Sequence, residues 1–541
     1  MISRLATACF IIFLSLTSIH AQETLPPYHW ANKAIDYLKV SGLLPELSLI
    51  ERPFNRQDIA KHLLKVDANT LSVRDRGVLR TLFQEFGIEL QLLGRTDNSE
   101  WSSLLKQALE NLQLSLLPET IAPRLKAGFF TLPSYDYNSE FDNQFNFDTH
   151  SQAAIVWQDK LTLYSNLRVF NNPPENYIGK SFSDLYAYNE QSYLHYRHGW
   201  FSAKFGRDYF QLGPGRSGQL LFSDNSRPFD MYHLALGNNK VKLSAWGMRL
   251  NDRRVVETEF LELGRTANRY INGHRLSFSI SDRFYFGLTE AVIYGGPQRG
   301  WELALMNPVS VYYAVVENFP GPSFFGNLFY SLDWDLYLTD GVELYGEFML
   351  DDFQINNEDP KDLEPTELAF LAGVNWAPKA LPGAKVNLEY VQVRNRTYNT
   401  SVNEWEKFLH RGEEIGYFQG NNFNRIGAEL SYWLRPDAYI ALSASRTSQG
   451  EGSVSGSFNT DFLNFTPEEG YSEDFPFGQV ETQTSFGVSG FYKPHQRGHL
   501  EFKLSYDSFD DFEHVEGSSS SNLTIRTTMW LEWNKLWNFS N

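Results

Sequence analysis

The sequence predicts an all-β transmembrane barrel of about 18 antiparallel strands, preceded by an N-terminal periplasmic α-helical bundle. Two features of the chain after about residue 120 predict the barrel. Apolar and polar side chains alternate along strand-length segments, and short turns alternate with long polar loops. A third feature predicts the bundle, because apolar residues before residue 115 recur at the spacing of a helix. We assign residues 1–21 to a signal peptide, 22–118 to the bundle and 119–541 to the barrel.

The first segment has the composition of a secretory signal. Arg4 supplies a positive charge, residues 6–19 are mostly apolar, and Ala21 suits the last position before cleavage. The one cysteine of the chain, Cys9, lies in this segment, so we expect no thiol or disulfide chemistry in the mature protein. No later apolar run approaches the ~18 residues of a spanning helix. The protein is therefore expected to be exported, and to be soluble or to enter a membrane as strands.

Helix signals follow from residue 28 to about 115. Asn55 and Ser72 are predicted N-caps, because each is followed three residues later by an aspartate and then by an apolar stripe. A further helix is predicted from about Ser99. The first helix is expected to end at Gly42, and it is indicated by apolar residues at helical spacing: Trp30, Ala31, Ala34, Ile35 and Leu38.

The barrel strands show a period of two. In residues 342–350, 426–432 and 500–507, apolar residues alternate with polar or charged ones over about ten residues, as in strands that have one face in lipid and one in the lumen. Short turns such as Gly237-Asn238-Asn239 alternate with long polar loops. This asymmetry predicts short periplasmic turns, long outer loops and an even number of strands.

The bulk composition excludes several functions. The net charge of -18 argues against nucleic-acid binding, which needs a basic surface. The tetrapeptide 215–218 lacks the G-x-S-x-G pattern of a nucleophile elbow, and the histidines show no metal-ligand spacing. We therefore expect no enzyme activity, no catalytic residue, no metal and no cofactor.

Two ordered blocks resemble the Wzi family of outer-membrane capsule-assembly proteins. The first block contains Gly206-Arg207, Leu212-Gly213-Pro214-Gly215, residues 220–225 (LLFSDN) and Arg227-Pro228, and the second contains Glu290, Tyr294-Gly295-Gly296, Trp301-Glu302 and Met306-Asn307-Pro308. The resemblance covers most of the barrel and, more loosely, the bundle. It implies an 18-stranded barrel in the outer membrane of a Gram-negative bacterium, with a helical bundle at its periplasmic end. It also implies a lectin-like role that holds exported capsular polysaccharide at the cell surface.

Candidate sugar-binding residues lie in the third long loop, residues 210–228, and at its start. Sugar binding needs an aromatic face and planar polar groups that take hydroxyls in pairs, and arginine also suits acidic sugars. Alternatively, the Gly-Pro-Gly segment only folds this loop into the lumen, while its arginines pair with strand carboxylates. The candidates are Tyr209, Arg216, Asp224, Asn225 and Arg227.

The fifth long loop, residues 295–326, adds Arg299, Trp301 and Glu302 to the candidate set. At about 32 residues it is long for a connection, and its apolar stretch predicts that it folds back as a plug. Lumen-facing charged residues such as Glu343 and Glu347 are expected to hold that plug, or simply to hydrate the lumen, instead of taking part in catalysis.

A passive porin for small solutes is the alternative function, because the strand pattern fits it equally well. The bundle and the long fifth and eighth loops favour a blocked barrel. The bundle has a second possible role, because residues 30–66 resemble one surface-layer-homology repeat, which implies contact with cell-wall polymer. Packing against the rest of the protein is the alternative role. The expected partners are thus exported polysaccharide and outer-membrane lipid, and we expect a monomer.

Overall fold

The computed structural model of the 541-residue chain describes most of the barrel and the first part of the bundle. The predicted signal peptide and the predicted helix from Ser99 lie outside the described residues. The described ranges are 23–67, 71–93, 124–140, 143–157, 160–173, 179–254, 266–318, 326–352, 360–401, 403–495 and 497–538.

Eighteen antiparallel strands close into one barrel, which confirms the predicted fold class. The last strand pairs with the first, with Leu531 opposite Thr131, so the main barrel sheet has no free edge. In chain order the strands are β1 Arg124–Thr131, β2 Asp148–Trp157, β3 Leu161–Phe170, β4 Leu185–His198, β5 Phe201–Asp208, β6 Phe229–Gly237, β7 Val241–Arg249, β8 Thr266–Ser281, β9 Phe284–Pro297, β10 Gly326–Thr339, β11 Val342–Asp352, β12 Glu367–Trp376, β13 Ala384–Val393, β14 Phe423–Arg435, β15 Ala438–Gln449, β16 Glu481–His495, β17 Gly498–Asp510 and β18 Ser519–Asn538.

The alternation predicted from sequence sets the two faces of the wall. On β11, Glu343, Tyr345 and Glu347 are buried on the lumen side, whereas Phe348 on the other face is 42% exposed. On β14 the outward Ile426 and Leu434 are exposed in the same way. The barrel therefore has an apolar outer belt and a polar inner face. Within the described ranges, no helix has the length and apolarity needed to cross a membrane.

The bundle contains α1 Ala31–Val40, α2 Arg56–Leu63, α3 Val73–Glu85 and α4 Gly87–Leu93. Both predicted caps are confirmed. The Asn55 side chain accepts hydrogen bonds from the backbone N–H groups of Gln57 and Asp58, and Ser72 Oγ accepts one from the N–H of Asp75. The apolar core of the bundle continues into residues at the short-turn end of the barrel, including Ala377, Trp433, Tyr439 and Phe491. The bundle is therefore docked against the barrel at that end.

The third and seventh long loops fill the lumen from the opposite end. Residues Gln211–Leu212 of the third loop pair antiparallel with Glu51–Arg52, between α1 and α2, so that loop and bundle meet inside the barrel. The seventh loop, residues 394–422, lies beside them, and Ser223 donates its N–H to Ile415 O. Apolar side chains of both loops and of the inner wall form one buried cluster that includes Phe210, Leu220, Phe222, Trp246, Phe329, Tyr398, Phe408 and Tyr417.

The prediction that the fifth loop is a plug is wrong. Its two short helices, α5 Leu303–Met306 and α6 Tyr312–Glu317, pack on Val292 and Tyr294 of β9. These two residues alternate with Ala291 and Ile293, which belong to the cluster inside the lumen. The described part of the fifth loop therefore folds over the outside of the wall. The physical reason is that several outward side chains of the strands beneath it are polar and need partners.

Candidate functional site

Arg216 connects the third loop to the wall and to the bundle. Its Nη2 donates to both carboxylate oxygens of Glu343 on β11, at 2.7 and 2.9 Å. Its Nε lies 2.9 Å from Oδ1 of Asp36 on α1, as an ion pair without hydrogen-bond alignment. The guanidinium also lies 5.0 Å from the ring centroid of Tyr345. This geometry matches the structural alternative for Arg216, because the side chain is buried and paired with carboxylates.

Asp36 is held ionised inside this contact. Burial alone would raise the pKa of its carboxyl group, but the charges of Arg216 and Lys385 outweigh burial and hold the pKa below its ordinary value. Lys385 lies on β13 and forms an ion pair with Asp36. The bundle is therefore tied to both the third loop and the wall by buried charges.

Two strand carboxylates hold the backbone of the third loop. Glu347 accepts the N–H groups of Gly215 and Leu220 at 2.8 and 2.7 Å, and Glu389 accepts the N–H of Arg216 at 2.7 Å. At Gly213 φ is +125°, and an added Cβ would lie 2.3 Å from Glu347 Oε1. A side chain is therefore excluded at that glycine. The lumen carboxylates hold a plug as predicted, but the plug is the third loop and not the fifth.

Three other candidates of the third loop differ in accessibility. Tyr209 is only 8% exposed, and its hydroxyl donates to Glu190 at 2.6 Å. Asn225 donates its side-chain N–H to Glu414 O at 3.1 Å, which joins the third loop to the seventh. Asp224 is exposed. Of these three, Asp224 presents its polar group most openly to a ligand.

Arg227 belongs to a group of three arginines at the long-loop rim, here called the arginine cluster: Arg207, Arg227 and Arg411. The Arg227 guanidinium lies 5.3 Å from the ring centroid of Tyr188 on β4. Arg207 donates from Nε to Asp230 at 2.8 Å. The cluster thus places guanidinium groups and an aromatic ring side by side.

The positive charges of these arginines act on one another. Burial, together with the positive charges of Arg207 and Arg227, lowers the pKa of Arg411. In the described part of the chain, no carboxylate lies within ion-pair distance of Arg411. Arg411 thus adds a positive charge to this rim, whereas the charge of Arg207 is paired with that of Asp230. Planar guanidinium groups of this kind bind carboxylates in pairs of hydrogen bonds.

The fifth-loop candidates lie elsewhere. Trp301 contacts the rings of Tyr270 and Tyr232 on the outer wall, with centroids 4.7 and 5.9 Å apart, and is 39% exposed. Arg299 pairs with Glu302 three residues on, at 3.0 Å. The structure therefore separates the predicted set into two places, with five residues around the third loop and three on the outer wall.

Sequence reasoning missed two members of the rim, Tyr188 and Arg411, and gave Arg207 only as part of a family motif. Tyr188 lies near the start of β4, where the second loop ends, Arg207 lies at the end of β5, and Arg411 lies in the seventh loop. Positions so far apart in sequence carry no local pattern, so spacing alone could not bring them together.

A cavity of about 1460 Å³ lies at the other end, between the bundle and strands β4–β9. Two of the basic groups that line it, Arg197 and Lys242, are paired with Asp58 and Glu51 respectively. Because these charges are matched, we do not assign the ligand site there. Among the described residues, no group of three or more His, Cys, Asp or Glu side chains could hold a metal ion.

Arg56, in the segment of residues 30–66 that resembles a surface-layer-homology repeat, points into the bundle. Arg56 donates from Nε to Glu89 at 2.6 Å and pairs with Glu85 at 3.2 Å. The charges of these glutamates outweigh burial and raise the pKa of Arg56. The Arg56 side chain thus joins α2 to α3 and α4 within the bundle.

The family comparison identifies the family of this chain. The family described as capsule assembly protein Wzi matches residues 122–523, which is most of the chain. This chain belongs to the Wzi family. No curated protein matches its sequence. Among solved structures, Escherichia coli Wzi, described as an outer-membrane protein involved in group 1 capsule assembly and a carbohydrate-binding β-barrel, superposes with a TM-score of 0.58 at 14% identity, covering 95% of this chain and 99% of that one.

Pseudomonas aeruginosa OprD is a weaker match, with a TM-score of 0.44 at 10% identity over 76% of this chain and 95% of that one. At 14% identity the Escherichia coli Wzi structure supports the fold alone, while the family match shows membership. A closed barrel of the Wzi family is an outer-membrane protein of a Gram-negative bacterium.

Proposed function

We propose that this chain is a lectin-like barrel that binds exported, acidic capsular polysaccharide at its outer rim and catalyses no reaction. The observation that carries the proposal is the arginine cluster beside Tyr188. Guanidinium groups recognise the carboxylates of uronate or pyruvylated sugars, and the ring offers a face on which a sugar can pack. The exposed carboxylate of Asp224 is close in sequence to Arg227 and adds an acceptor for hydroxyl groups.

The predicted site residues receive different roles in this proposal. Arg227 and Asp224 contact the polysaccharide, and Tyr209, Arg216 and Asn225 position the third loop. Arg299, Trp301 and Glu302 belong to the outer wall and act independently of the rim. Burial and pairing of Arg216 support its positioning role, because a paired, buried charge has little left to offer a ligand.

The buried plug favours a binding protein over the alternative of a porin. Third loop, seventh loop and bundle meet inside the barrel, and their apolar residues form continuous buried clusters with the wall. A planar-bilayer recording separates the two functions. We expect the full chain to show no large, steady conductance steps, whereas such steps would support the porin.

We also propose that the bundle lies on the periplasmic side and closes the barrel there. The bundle docks at the short-turn end, and short turns are periplasmic in bacterial barrels. A cell-wall contact is less favoured, because Arg56 of the repeat-like segment is occupied by Glu85 and Glu89.

The binding proposal is tested with the double variant Arg227→Ala, Arg411→Ala. Polygalacturonate serves as the acidic probe and dextran as the neutral one, each measured against the full chain by biolayer interferometry. Each lost charge-assisted contact is expected to cost about 1.5–3 kcal/mol, so binding of polygalacturonate should weaken at least a hundredfold.

The matched control is Arg283→Ala, which removes an exposed arginine that pairs with Asp340 at a short turn. We expect this control to bind polygalacturonate like the unchanged chain. Equal loss of binding in the control, or normal binding by the double variant, would contradict the rim site.

A further inference from the structure

The outward face of strands β8–β10 has an unusually short apolar stretch. Four outward rows can be followed across these strands from the pairing register. The three lower rows are apolar: Phe284 and Leu336, then Phe278, Phe286 and Trp334, then Leu276, Leu288 and Leu332. In the third of these rows Leu288 is 45% exposed, so the rows face out from the barrel. The fourth row is polar and contains His274, Glu290 and Tyr330.

The apolar rows extend too short a distance along the barrel axis to cover the apolar core of a membrane. On β9 the outward apolar residues below the polar row extend from Phe284 to Leu288, four residues apart, which corresponds to about 10 Å along the barrel axis at a rise of ~3.3 Å per residue and a tilt of ~40°. On β10 they extend from Leu332 to Leu338, or about 15 Å. On β14 the outward apolar residues extend from Ile426 to Leu434, or about 20 Å by the same arithmetic. An outer-membrane barrel needs an apolar band of about 25 Å. Strands β8–β10 alone therefore leave roughly 10–15 Å of the band unfilled.

The fifth loop covers the polar row. Glu290 Oε2 lies 3.2 Å from His274 Nε2. The two carboxylate oxygens of Glu290 accept the N–H groups of Tyr312 and Tyr313 at 3.0 and 3.1 Å, at the start of α6. Above them, Tyr294 accepts the N–H of Glu302 at 3.2 Å. The loop thus satisfies the polar groups of the wall with its own backbone, which is necessary where water is excluded.

The other side of this segment is apolar and exposed. Leu303, Val309, Val311 and Tyr313 are 81, 74, 60 and 55% exposed. They lie over the place where the apolar band of β8–β10 is interrupted. The surface is therefore continuous with the lipid-facing belt, although it is built from a loop instead of strands.

We propose that residues 299–318 form a membrane-embedded patch that replaces the upper half of the lipid-facing belt on β8–β10. The partner of this surface is the acyl-chain layer of the outer leaflet. Glu290 and His274 position the patch on the wall, and Leu303, Val309, Val311 and Tyr313 contact the acyl chains. Such an element would fix the depth and orientation of the barrel on the side of the fifth loop.

Site-directed spin labelling tests the patch. Single cysteines are introduced as Val309→Cys and Val311→Cys in a chain that carries Cys9→Ser, and the full protein is reconstituted in vesicles of phosphatidylcholine. Collision of the nitroxide with oxygen and with a water-soluble nickel chelate reports its surroundings. Leu288→Cys is the lipid-facing control, and Glu468→Cys, an exposed loop position, is the aqueous control.

The expected result is a high ratio of oxygen to nickel collisions at both positions, close to that of Leu288→Cys and several-fold above that of Glu468→Cys. A ratio like that of Glu468→Cys would place the segment in water and overturn the proposal. Exclusion of both reagents would also overturn it, because the face would then be covered by protein, such as a second copy of the chain. If a cysteine prevents assembly, Leu303→Cys on the same face provides the same readout.

Discussion

Replacing Asp36 by alanine should loosen the bundle from the barrel. Asp36 is 14% exposed and pairs with Arg216 and Lys385, each of which is itself largely buried. After the change Arg216 retains Glu343, but no other carboxylate is found in ion-pair contact with Lys385 among the described residues. Removing one partner from a buried ion pair costs about 3–5 kcal/mol, since a buried charge is left uncompensated.

That free energy predicts a large change in local opening. A cost of about 3–5 kcal/mol multiplies the equilibrium for undocking by roughly a hundredfold to several thousandfold. Hydrogen–deuterium exchange of the amides in α1 measures this change. Their protection should fall by a similar factor, provided that the bundle re-docks faster than an opened amide exchanges. The double variant Asp36→Ala, Lys385→Met should recover most of the protection, since neither charge then remains alone.

The matched control is Glu46→Ala. Glu46 pairs with Lys65 on the same bundle, but these side chains are 41 and 57% exposed, and exposed ion pairs contribute only about 0–1 kcal/mol. The control should therefore exchange almost like the unchanged chain. Equal exchange in Asp36→Ala and Glu46→Ala would refute the reasoning that buried charges hold the bundle in place.

Three further changes have defined outcomes. Burial raises the pKa of Glu406 to about 7 from an ordinary 4.5. The seventh loop should therefore be more stable at pH 5 than at pH 8, by up to about 3 kcal/mol. Glu406→Gln should abolish this pH dependence, measured as amide exchange in residues 403–410. Asn55→Ala removes the cap of α2 and should lower the free energy of unfolding of the bundle by about 1 kcal/mol, measured by denaturant titration against Lys61→Ala. Gly213→Ala should displace the third loop from Glu347. Amide hydrogen exchange at Gly215 and Leu220 should then be faster. Unchanged exchange at these two amides would show that the loop tolerates a side chain.

Most of the barrel could be predicted from sequence because its signal is local. Alternation of apolar and polar residues determines which side of the wall each residue faces, as on β11 and β14. The caps at Asn55 and Ser72 are equally local, because a cap depends on a side chain and the three residues after it. The docking of the bundle needed tertiary information, since Asp36 and Arg216 are far apart in the chain.

The position of the fifth loop outside the wall is indicated by polar residues on the strands beneath it. Glu290 and His274 occupy positions of β9 and β8 that the alternation assigns to the outer face. Polar residues at such positions indicate that something other than lipid covers them. The apolar stretch of the loop therefore covers the outside of the wall and is not a plug. The alternation of inward and outward residues along β8 and β9 indicates this position.

The rim site could be predicted only in part. The family motif drew attention to Arg227 and Asp224, but Tyr188 and Arg411 join them through folding of separate loops. Arg216 has the same chemistry as Arg227, yet it pairs with Glu343 inside the barrel. The role of an arginine depends on its neighbours in space, and these are not visible in a single sequence.

Hydroxyl-radical footprinting with the exported polysaccharide of the host tests the central claim most directly. The full chain in detergent micelles is oxidised with and without the purified polymer, and modified peptides are quantified by mass spectrometry. We expect the polymer to protect Tyr188 and the peptides that contain Arg227 and Arg411, while Trp301 on the outer wall remains equally reactive. Unchanged reactivity at the rim in the presence of saturating polymer, or protection confined to another surface, would contradict the account.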